Sequence, residues 1–387
     1  MQGVRRLLWR TVALACALML LAAACVQDGD GRAGGEAVGG CPPGGVAVGF
    51  FGALSGQDAQ LGINLHNGVR LAIDQYNANR PPCRVESVEF DSQGSETQAP
   101  GLAQEAIQNQ RVVAIVGPAY SAESKNANPI FNEAGMPLVT IATNAALAQN
   151  GWTIFHRVVG NDRVQGSALA RLIKERLLGK KVAVVDDKSE YGKGIADIVR
   201  DGLGGLVAFN DSIDVAGQDY SSTVNGVRSS AADVIFYGGY YAAAGRLLKQ
   251  LRDAGVTATF VSDDAAKDPQ LIQIAGQAAA EGVLLTCPCA PIENVRDGER
   301  FRSAYEEAFQ TEPGTYSAEG YDAANVILEA IKAGKTDRRS INDFLKTVDY
   351  QGITKRIAFD ATGEVADQRI FVYQVSGGAI TAVGLVE

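Results

Sequence analysis

Two short polar loops in the first half of the chain have the composition of an anion-binding site. Ser121 follows the apolar run 112–116 and opens a helical stretch, so it offers a hydroxyl and a backbone amide at a helix N-terminus. Thr143 follows the next apolar run, 137–141, in a similar way. Each residue alone is more often a helix cap. Because ligands of open α/β sheets bind at the carboxyl ends of strands, the two loops together predict a clamp for a carboxylate.

Acidic residues, glycines and tyrosines mark the corresponding loops in the second half of the chain. The loop 187–194 contains Tyr191, and the loop 237–241 contains Tyr240. Glycines in both loops allow a ligand to approach the backbone, and tyrosine rings offer broad apolar contact. The alternative is that the glycines form turns and the tyrosines shield strand ends. Asp264 follows another strand-like run and is either a helix cap or the counter-ion of a bound ammonium.

No catalytic signature accompanies these loops. The sequence lacks a G-x-x-x-x-G-K-[ST] phosphate loop, an H-E-x-x-H zinc motif and a G-x-S-x-G nucleophile motif. The two histidines, His66 and His156, do not have metal-ligand spacing. A formal net charge of −9 disfavours a nucleic-acid partner. We therefore expect a protein that is not an enzyme and that holds no metal and no cofactor.

Two runs of alternating strands and helices must position these loops. In the segments 46–141 and 164–286, short apolar runs alternate with stretches that carry apolar residues at helical spacing. This alternation predicts parallel sheets with helices on both faces. The remaining segment, 299–386, is too short for a third domain and must complete the first two. The predicted fold class is α/β, with two doubly wound parallel-sheet lobes.

The N-terminal segment, 1–24, is typical of an export signal. Three arginines precede a short apolar stretch, and three alanines lead into Cys25. The pattern resembles a bacterial lipoprotein signal, which implies lipidation of Cys25, although Ala22 stands where such signals usually carry leucine. Ordinary secretory cleavage near Ala24 is the alternative. Residues 25–45 predict a flexible tether, so the protein is expected either in the periplasm or on the outer face of the cytoplasmic membrane, attached only through its lipid.

The four cysteines beyond the signal and the lipidated position form an even set, as expected for an oxidising compartment. Cys41 and Cys83 each precede one of the first two predicted strands, which as parallel neighbours would bring both thiols to one edge of a sheet. Cys287 and Cys289 are separated by a single proline and would close a small ring with each other. We predict disulfides between the members of each pair.

The order and spacing of these loops resemble the branched-chain amino-acid binding proteins of bacterial ABC importers, which have the type I periplasmic-binding fold. The resemblance covers nearly the whole exported chain, in these segments: Val46-Ala47-Val48-Gly49, Leu54-Ser55-Gly56, 186–192, 236–240 and Tyr321-Asp322-Ala323. It implies that the chain crosses between the lobes three times, near 158–162, 287–291 and 360–363. The implied lobes are 46–160 with 289–363, and 161–288 with 364–387.

The resemblance also implies roles for individual residues. Ser121 and Thr143 would hold the ligand carboxylate, and Asp264, where relatives often carry glutamate, would hold the α-ammonium. Tyr191 and Tyr240 would line the side-chain pocket. The further contacts are Ile141, Tyr316 and Leu61, the last at a position where relatives commonly carry an aromatic residue.

The sequence thus favours an extracytoplasmic substrate-binding lipoprotein of an ABC importer. It would act as a monomer, capture an α-amino acid such as leucine, isoleucine or valine between two closing lobes, and dock on permease subunits. A sensory receptor of the same fold, which detects an amino acid or an amide, is the alternative. An exported hydrolase is disfavoured because no nucleophile–base pair can be assembled from the loops.

Overall fold

The computed structural model describes residues 40–386. Its first sheet consists of β1 (Val46–Gly52), β2 (Val85–Asp91), β3 (Val112–Val116), β4 (Leu138–Thr140) and β5 (Phe155–Arg157). These strands are all parallel, in the order β2-β1-β3-β4-β5. The connecting helices are α1 (Ala59–Ala78), α2 (Ala99–Gln108) and α3 (Ser121–Glu133). Every residue of β1 and β3 is buried, as expected for strands covered on both faces.

The second half of the chain builds a larger sheet. The remaining strands are β6 (Val182–Asp186), β7 (Val207–Ser212), β8 (Val234–Gly238), β9 (Thr259–Ser262), β10 (Leu284–Cys287), β11 (Tyr350–Gln351), β12 (Arg356–Ile357), β13 (Phe371–Ser376) and β14 (Ala379–Leu385). Seven of them form a sheet in the order β14-β13-β10-β9-β8-β6-β7, and β11 pairs only with β12. The sheet is parallel from β10 to β7, while β13 and β14 add an antiparallel end.

Helices from three parts of the chain cover the two sheets. The second sheet is accompanied by α4 (Asp162–Arg171), α5 (Glu190–Leu203), α6 (Ser221–Ser230), α7 (Tyr241–Asp253), α8 (Pro269–Ala275) and α9 (Gln277–Ala280). The last helices are α10 (Gly298–Phe309), α11 (Ser317–Lys332) and α12 (Arg338–Leu345). These return to the first sheet, where α10 and α11 pack on α1 and α12 contacts β3.

The chain passes between the two sheets three times. The crossings follow β5, follow β10, and lie between β12 and β13. The predicted α/β class, with two lobes and three crossovers, is confirmed. The antiparallel end of the second sheet is the one departure from a purely parallel arrangement.

A buried ion pair joins the first and third crossovers. Arg157, at the end of β5, donates from Nε to Glu364 Oε2 at 3.1 Å and from Nη2 to Glu364 Oε1 at 2.5 Å. Its Nη1 donates to the backbone oxygens of Ala142 and Asn144 at 2.7 and 2.9 Å. The guanidinium is fully buried, and it thereby fixes the loop after β4 against both crossovers.

The helix after β3 begins earlier than its apolar periodicity indicates. Apolar residues at helical spacing mark only 126–134, whereas α3 begins at Ser121, the residue already placed at the start of the helical stretch. Its first turn is held by polar contacts: Glu123 is buried and accepts from the Ser92 hydroxyl, and the Ser124 hydroxyl donates to a backbone oxygen. Polar contacts of this kind leave no apolar period in the sequence.

The four cysteines of the described chain pair as predicted. Cys41 is joined to Cys83, with Cα atoms 5.3 Å apart, and Cys287 is joined to Cys289, with Cα atoms 5.0 Å apart. The first pair stands beside β1 and β2, which are parallel neighbours. It closes a loop with a sequence separation of 42 residues.

Replacing both Cys41 and Cys83 with serine is expected to lower the free energy of unfolding by about 2 to 4 kcal/mol. The reason is that the unfolded chain regains the freedom of the closed loop. Urea unfolding of the exported protein and of the double variant measures the change. Thiol titration of the unfolded, unreduced wild type should find both cysteines unreactive, and reactive thiols there would contradict the pairing.

The predicted signal, the predicted lipidation site Cys25 and most of the predicted tether lie outside the described residues. Within residues 40–386, no helix has the length and apolar character needed to cross a bilayer.

Candidate functional site

The loops that follow β3 and β4 meet at one end of a small cavity. Ser121 is the first residue of α3, and its hydroxyl oxygen accepts a hydrogen bond from the backbone N–H of Asn144 at 3.3 Å. Thr143 directly precedes Asn144 and lines the same cavity as Ser121. Both side chains are buried. This end therefore presents hydroxyl groups beside a helix N-terminus, an arrangement suited to a carboxylate.

Asp264 reaches the cavity from the other sheet. Its Oδ1 accepts a hydrogen bond from the Tyr191 hydroxyl at 2.8 Å, and its Oδ2 accepts one from the Tyr316 hydroxyl at 2.6 Å. Burial raises the pKa of this carboxyl, while the bonds from Tyr316 and Tyr191 lower it and partly oppose the shift. Carboxylate oxygens have about four lone-pair positions, so Asp264 retains acceptor capacity for a cation.

Further acidic side chains are buried near Asp264. Desolvation raises the pKa of Asp162 to about 8 and that of Asp187 to about 6. It also raises the pKa of Asp263 well above its usual value, and the neighbouring Asp264 adds to that shift. The Thr143 side chain faces the Asp162 carboxyl, and this contact partly opposes the upward shift of its pKa. Because a nearby cation favours the charged form of a carboxyl, an ammonium bound at Asp264 would lower the pKa values of these neighbours.

The cavity between the two ends is small, with a volume of about 30 Å³, which leaves room for only a water molecule or two. All eight residues predicted as ligand contacts line it: Leu61, Ser121, Ile141, Thr143, Tyr191, Tyr240, Asp264 and Tyr316. The structure therefore brings together every ligand contact that the sequence analysis named.

Four further lining residues were not predicted, namely Ala119, Tyr120, Ala142 and Ala265. Each lies within or beside a loop that the sequence analysis singled out, so position in the loop is the signal that could have found them. The alanines carry no functional group, and for that reason residue type gives no indication of their role. Asp162 was missed because it opens α4 without any recognisable motif.

Tyrosine rings form much of the apolar wall. The ring centroid of Tyr240 lies 5.5 Å from that of Tyr120 and 5.5 Å from that of Tyr191. Leu61 from α1 and Ile141 from the loop after β4 complete this part of the lining. The sequence assigns Tyr191 only to the side-chain pocket, but the structure also brings its hydroxyl to Asp264. Tyr191 thus contacts both regions of the cavity.

Hydrogen bonds join the two lobes around the cavity. The Tyr241 hydroxyl donates to the Gln57 backbone oxygen at 3.0 Å. On another side, Asn144 Nδ2 donates to the Glu190 backbone oxygen at 2.8 Å, and Lys125 pairs with the Glu190 carboxylate at 2.9 Å. The lobes therefore stand in contact, and the cavity lies between them.

The two histidines lie away from the cavity. The His66 ring packs on Phe50, with centroids 4.6 Å apart, and His156 Nδ1 lies 3.2 Å from the Leu138 backbone oxygen. Desolvation by burial lowers the pKa of each to about 4. Within residues 40–386, no group of histidine, cysteine and acidic side chains is arranged to hold a metal ion. The cavity thus combines hydroxyl, carboxylate and aromatic groups without a histidine base.

A family model described as periplasmic binding protein matches residues 45–379. The chain belongs to the periplasmic binding protein family. The resemblance noted in the sequence is therefore confirmed at the level of the family.

Individual relatives of this periplasmic binding protein bear names of amino-acid binding. The leucine-, isoleucine-, valine-, threonine-, and alanine-binding protein of Pseudomonas aeruginosa is 27% identical over 336 residues, which cover 85% of this chain and 89% of the relative. The leucine-specific-binding protein of Salmonella typhimurium is 32% identical over 249 residues, which cover 63% of this chain and 67% of the relative. These relatives are binding proteins.

A solved structure shares the same arrangement of elements. It is the branched-chain amino acid transporter substrate binding protein LivJ from Streptococcus pneumoniae, in complex with isoleucine. The TM-score is 0.82 at 26% sequence identity, and the match covers 88% of this chain and 99% of that chain.

Proposed function

We propose that this periplasmic binding protein captures an α-amino acid with a branched aliphatic side chain and delivers it to an ABC permease. The observation that carries the proposal is that one cavity has chemically different ends. The hydroxyls of Ser121 and Thr143 line one end, and the carboxyl of Asp264 lines the other. A zwitterion removed from water needs charge-assisted hydrogen bonds at both ends, because unpaired buried charge is costly. The names of the relatives and the isoleucine complex support the same ligand class.

The side-chain region supports leucine, isoleucine or valine as the ligand. Leu61, Ile141 and the faces of Tyr191 and Tyr240 offer apolar surface. Burial of an aliphatic side chain there is favourable by about 1.5 to 3 kcal/mol. A charged ligand side chain would meet no partner in this part of the cavity.

We also propose that binding couples to movement of two lobes, 46–160 with 289–363 and 161–288 with 364–387. Ser121 and Thr143 belong to the first lobe and Asp264 to the second, so one ligand would link both. The protein would work as a monomer and leave its ligand chemically unchanged, because the two hydroxyls have no histidine beside them to act as a base.

We propose that the protein is anchored through a lipid on Cys25, outside the cytoplasm. The support is the short apolar segment and the three alanines before that residue. Mass spectrometry of the N-terminal peptide from native membranes should find a lipid on Cys25. An unmodified N-terminus at or after this position would contradict the anchor.

Calorimetry against the twenty amino acids tests the proposed ligand. The protein is first unfolded, dialysed and refolded to remove any ligand that copurifies. We expect 1:1 binding, tightest for leucine, isoleucine or valine, and weak binding of amino acids with charged side chains. Failure of all twenty to bind, or preference for a charged side chain, would contradict the proposal.

A further inference from the structure

Tyr316 forms part of a wall between the ligand cavity and a second, larger cavity. It lines both the ligand cavity, with a volume of about 30 Å³, and a neighbouring groove with a volume of about 620 Å³. This interlobe groove is lined by Lys267 and Tyr373 beside the second sheet and by Glu319 from α11, which packs with the first sheet. Among the described residues, Tyr316 is the one that lines both spaces.

The wall stands at the end of the cavity that the proposed function assigns to the ammonium. The Tyr316 hydroxyl donates to Asp264 Oδ2 at 2.6 Å. By contrast, Leu61 and Ile141 of the side-chain region line the ligand cavity but not the interlobe groove. Tyr316 therefore limits the space around the ligand nitrogen rather than the space around its side chain.

Several contacts hold the ring in this position. Tyr316 has a φ of +69°, a left-handed conformation that is uncommon for a bulky residue, and its backbone oxygen accepts from Gly320 N–H at 2.8 Å. The preceding Thr315 bonds across the lobes, where its hydroxyl donates to the Lys267 backbone oxygen and accepts from Lys267 Nζ at 3.2 Å. The side chain is only 2% exposed, so the wall is fixed by both lobes.

We infer that Tyr316 restricts the ligand to a primary α-ammonium, because its ring blocks any substituent on the nitrogen from entering the interlobe groove. This inference rests on the proposed function. An N-methyl amino acid keeps its positive charge and can still pair with Asp264. Its extra methyl group would overlap the ring of Tyr316, whereas the groove behind the ring has ample room for it.

Calorimetry with leucine and N-methylleucine tests the restriction. For the wild type, we expect N-methylleucine to bind about 10- to 200-fold more weakly, the penalty typical of one additional carbon in a closed pocket. Tyr316→Gly removes the ring and suits the positive φ of this position. In this variant the two ligands should bind within about threefold of each other.

Tyr316→Phe is the matched control, because it keeps the ring and removes the hydroxyl. Tyr316→Phe should weaken the binding of both ligands and preserve the wild-type ratio of their Kd values. If Tyr316→Gly binds leucine and keeps the wild-type ratio, the inference is overturned and the proposed function stands. If the wild type binds no amino acid, the proposed function itself fails. If Tyr316→Gly does not fold, Tyr316→Asn replaces it in the same comparison. Equal binding of leucine and N-methylleucine by the wild type is by itself enough to overturn the inference.

Discussion

Replacing Asp264 with alanine is expected to remove most amino-acid binding. The loss should be about 2 to 5 kcal/mol, or roughly 30-fold to several-thousand-fold in Kd, as is typical when one partner of a desolvated charge pair is deleted. Two effects combine, because the ligand ammonium loses its counter-ion and the hydroxyls of Tyr191 and Tyr316 lose the acceptor that they now share. Calorimetry with leucine measures the change.

A matched pair of variants separates charge from folding. Asp264→Asn and Asp322→Asn each neutralise a buried aspartate that accepts several hydrogen bonds, but Asp322 bonds to Ile353 and Thr354 and does not line the cavity. Only Asp264→Asn should weaken leucine binding strongly. Ser121→Ala removes a neutral donor to a charged group and should cost less, about 1.5 to 3 kcal/mol. Binding by folded Asp264→Ala within threefold of wild type would move the ammonium site elsewhere.

Replacing Glu364 with alanine is expected to lower the free energy of unfolding by about 3 to 5 kcal/mol. Deletion of one partner of a buried pair leaves the other charge uncompensated, and here the charge left behind is the fully buried guanidinium of Arg157. The two hydrogen bonds from Arg157 to backbone oxygens remain, so the variant retains part of the network. Urea unfolding followed by circular dichroism measures the loss.

The ion pair between Arg356 and Asp349 is the control, because it has similar geometry to the pair between Arg157 and Glu364 but is exposed. It is also bidentate, but both side chains are more than half exposed. Solvent screens exposed ion pairs and leaves them little net contribution, so Asp349→Ala should leave the free energy of unfolding nearly unchanged. Equal losses for Glu364→Ala and Asp349→Ala would show that burial of the Arg157 pair contributes nothing.

The residues at the ends of the cavity could be predicted because parallel strands impose a common edge. Buried apolar runs mark the strands, and Ser121, Thr143 and Asp264 are the polar residues that follow three of them. Strand β5 escaped prediction because it has only three residues, Phe155 to Arg157, of which two are polar. The acceptors that let its arginine be buried are two backbone oxygens and a glutamate 207 positions later.

Contacts between side chains that are far apart in the sequence were beyond prediction from local pattern. Tyr191 and Tyr316 meet at Asp264 from positions 73 and 52 residues away. Residue type suggests that a tyrosine hydroxyl needs a partner when buried, but it does not say which one. The resemblance to a known family supplied the identity of these residues, and the structure supplied their mutual contacts.

The guanidinium of Arg157 has a consequence for how this chain can change through evolution. It donates to the backbone oxygens on both sides of Thr143 and to Glu364 in the third crossover. A substitution at Glu364 would therefore alter the support of a loop that lines the ligand cavity, although Glu364 itself does not line it. Substitutions in the crossovers and changes in ligand affinity are therefore linked, because both depend on the hydrogen bonds of the Arg157 guanidinium.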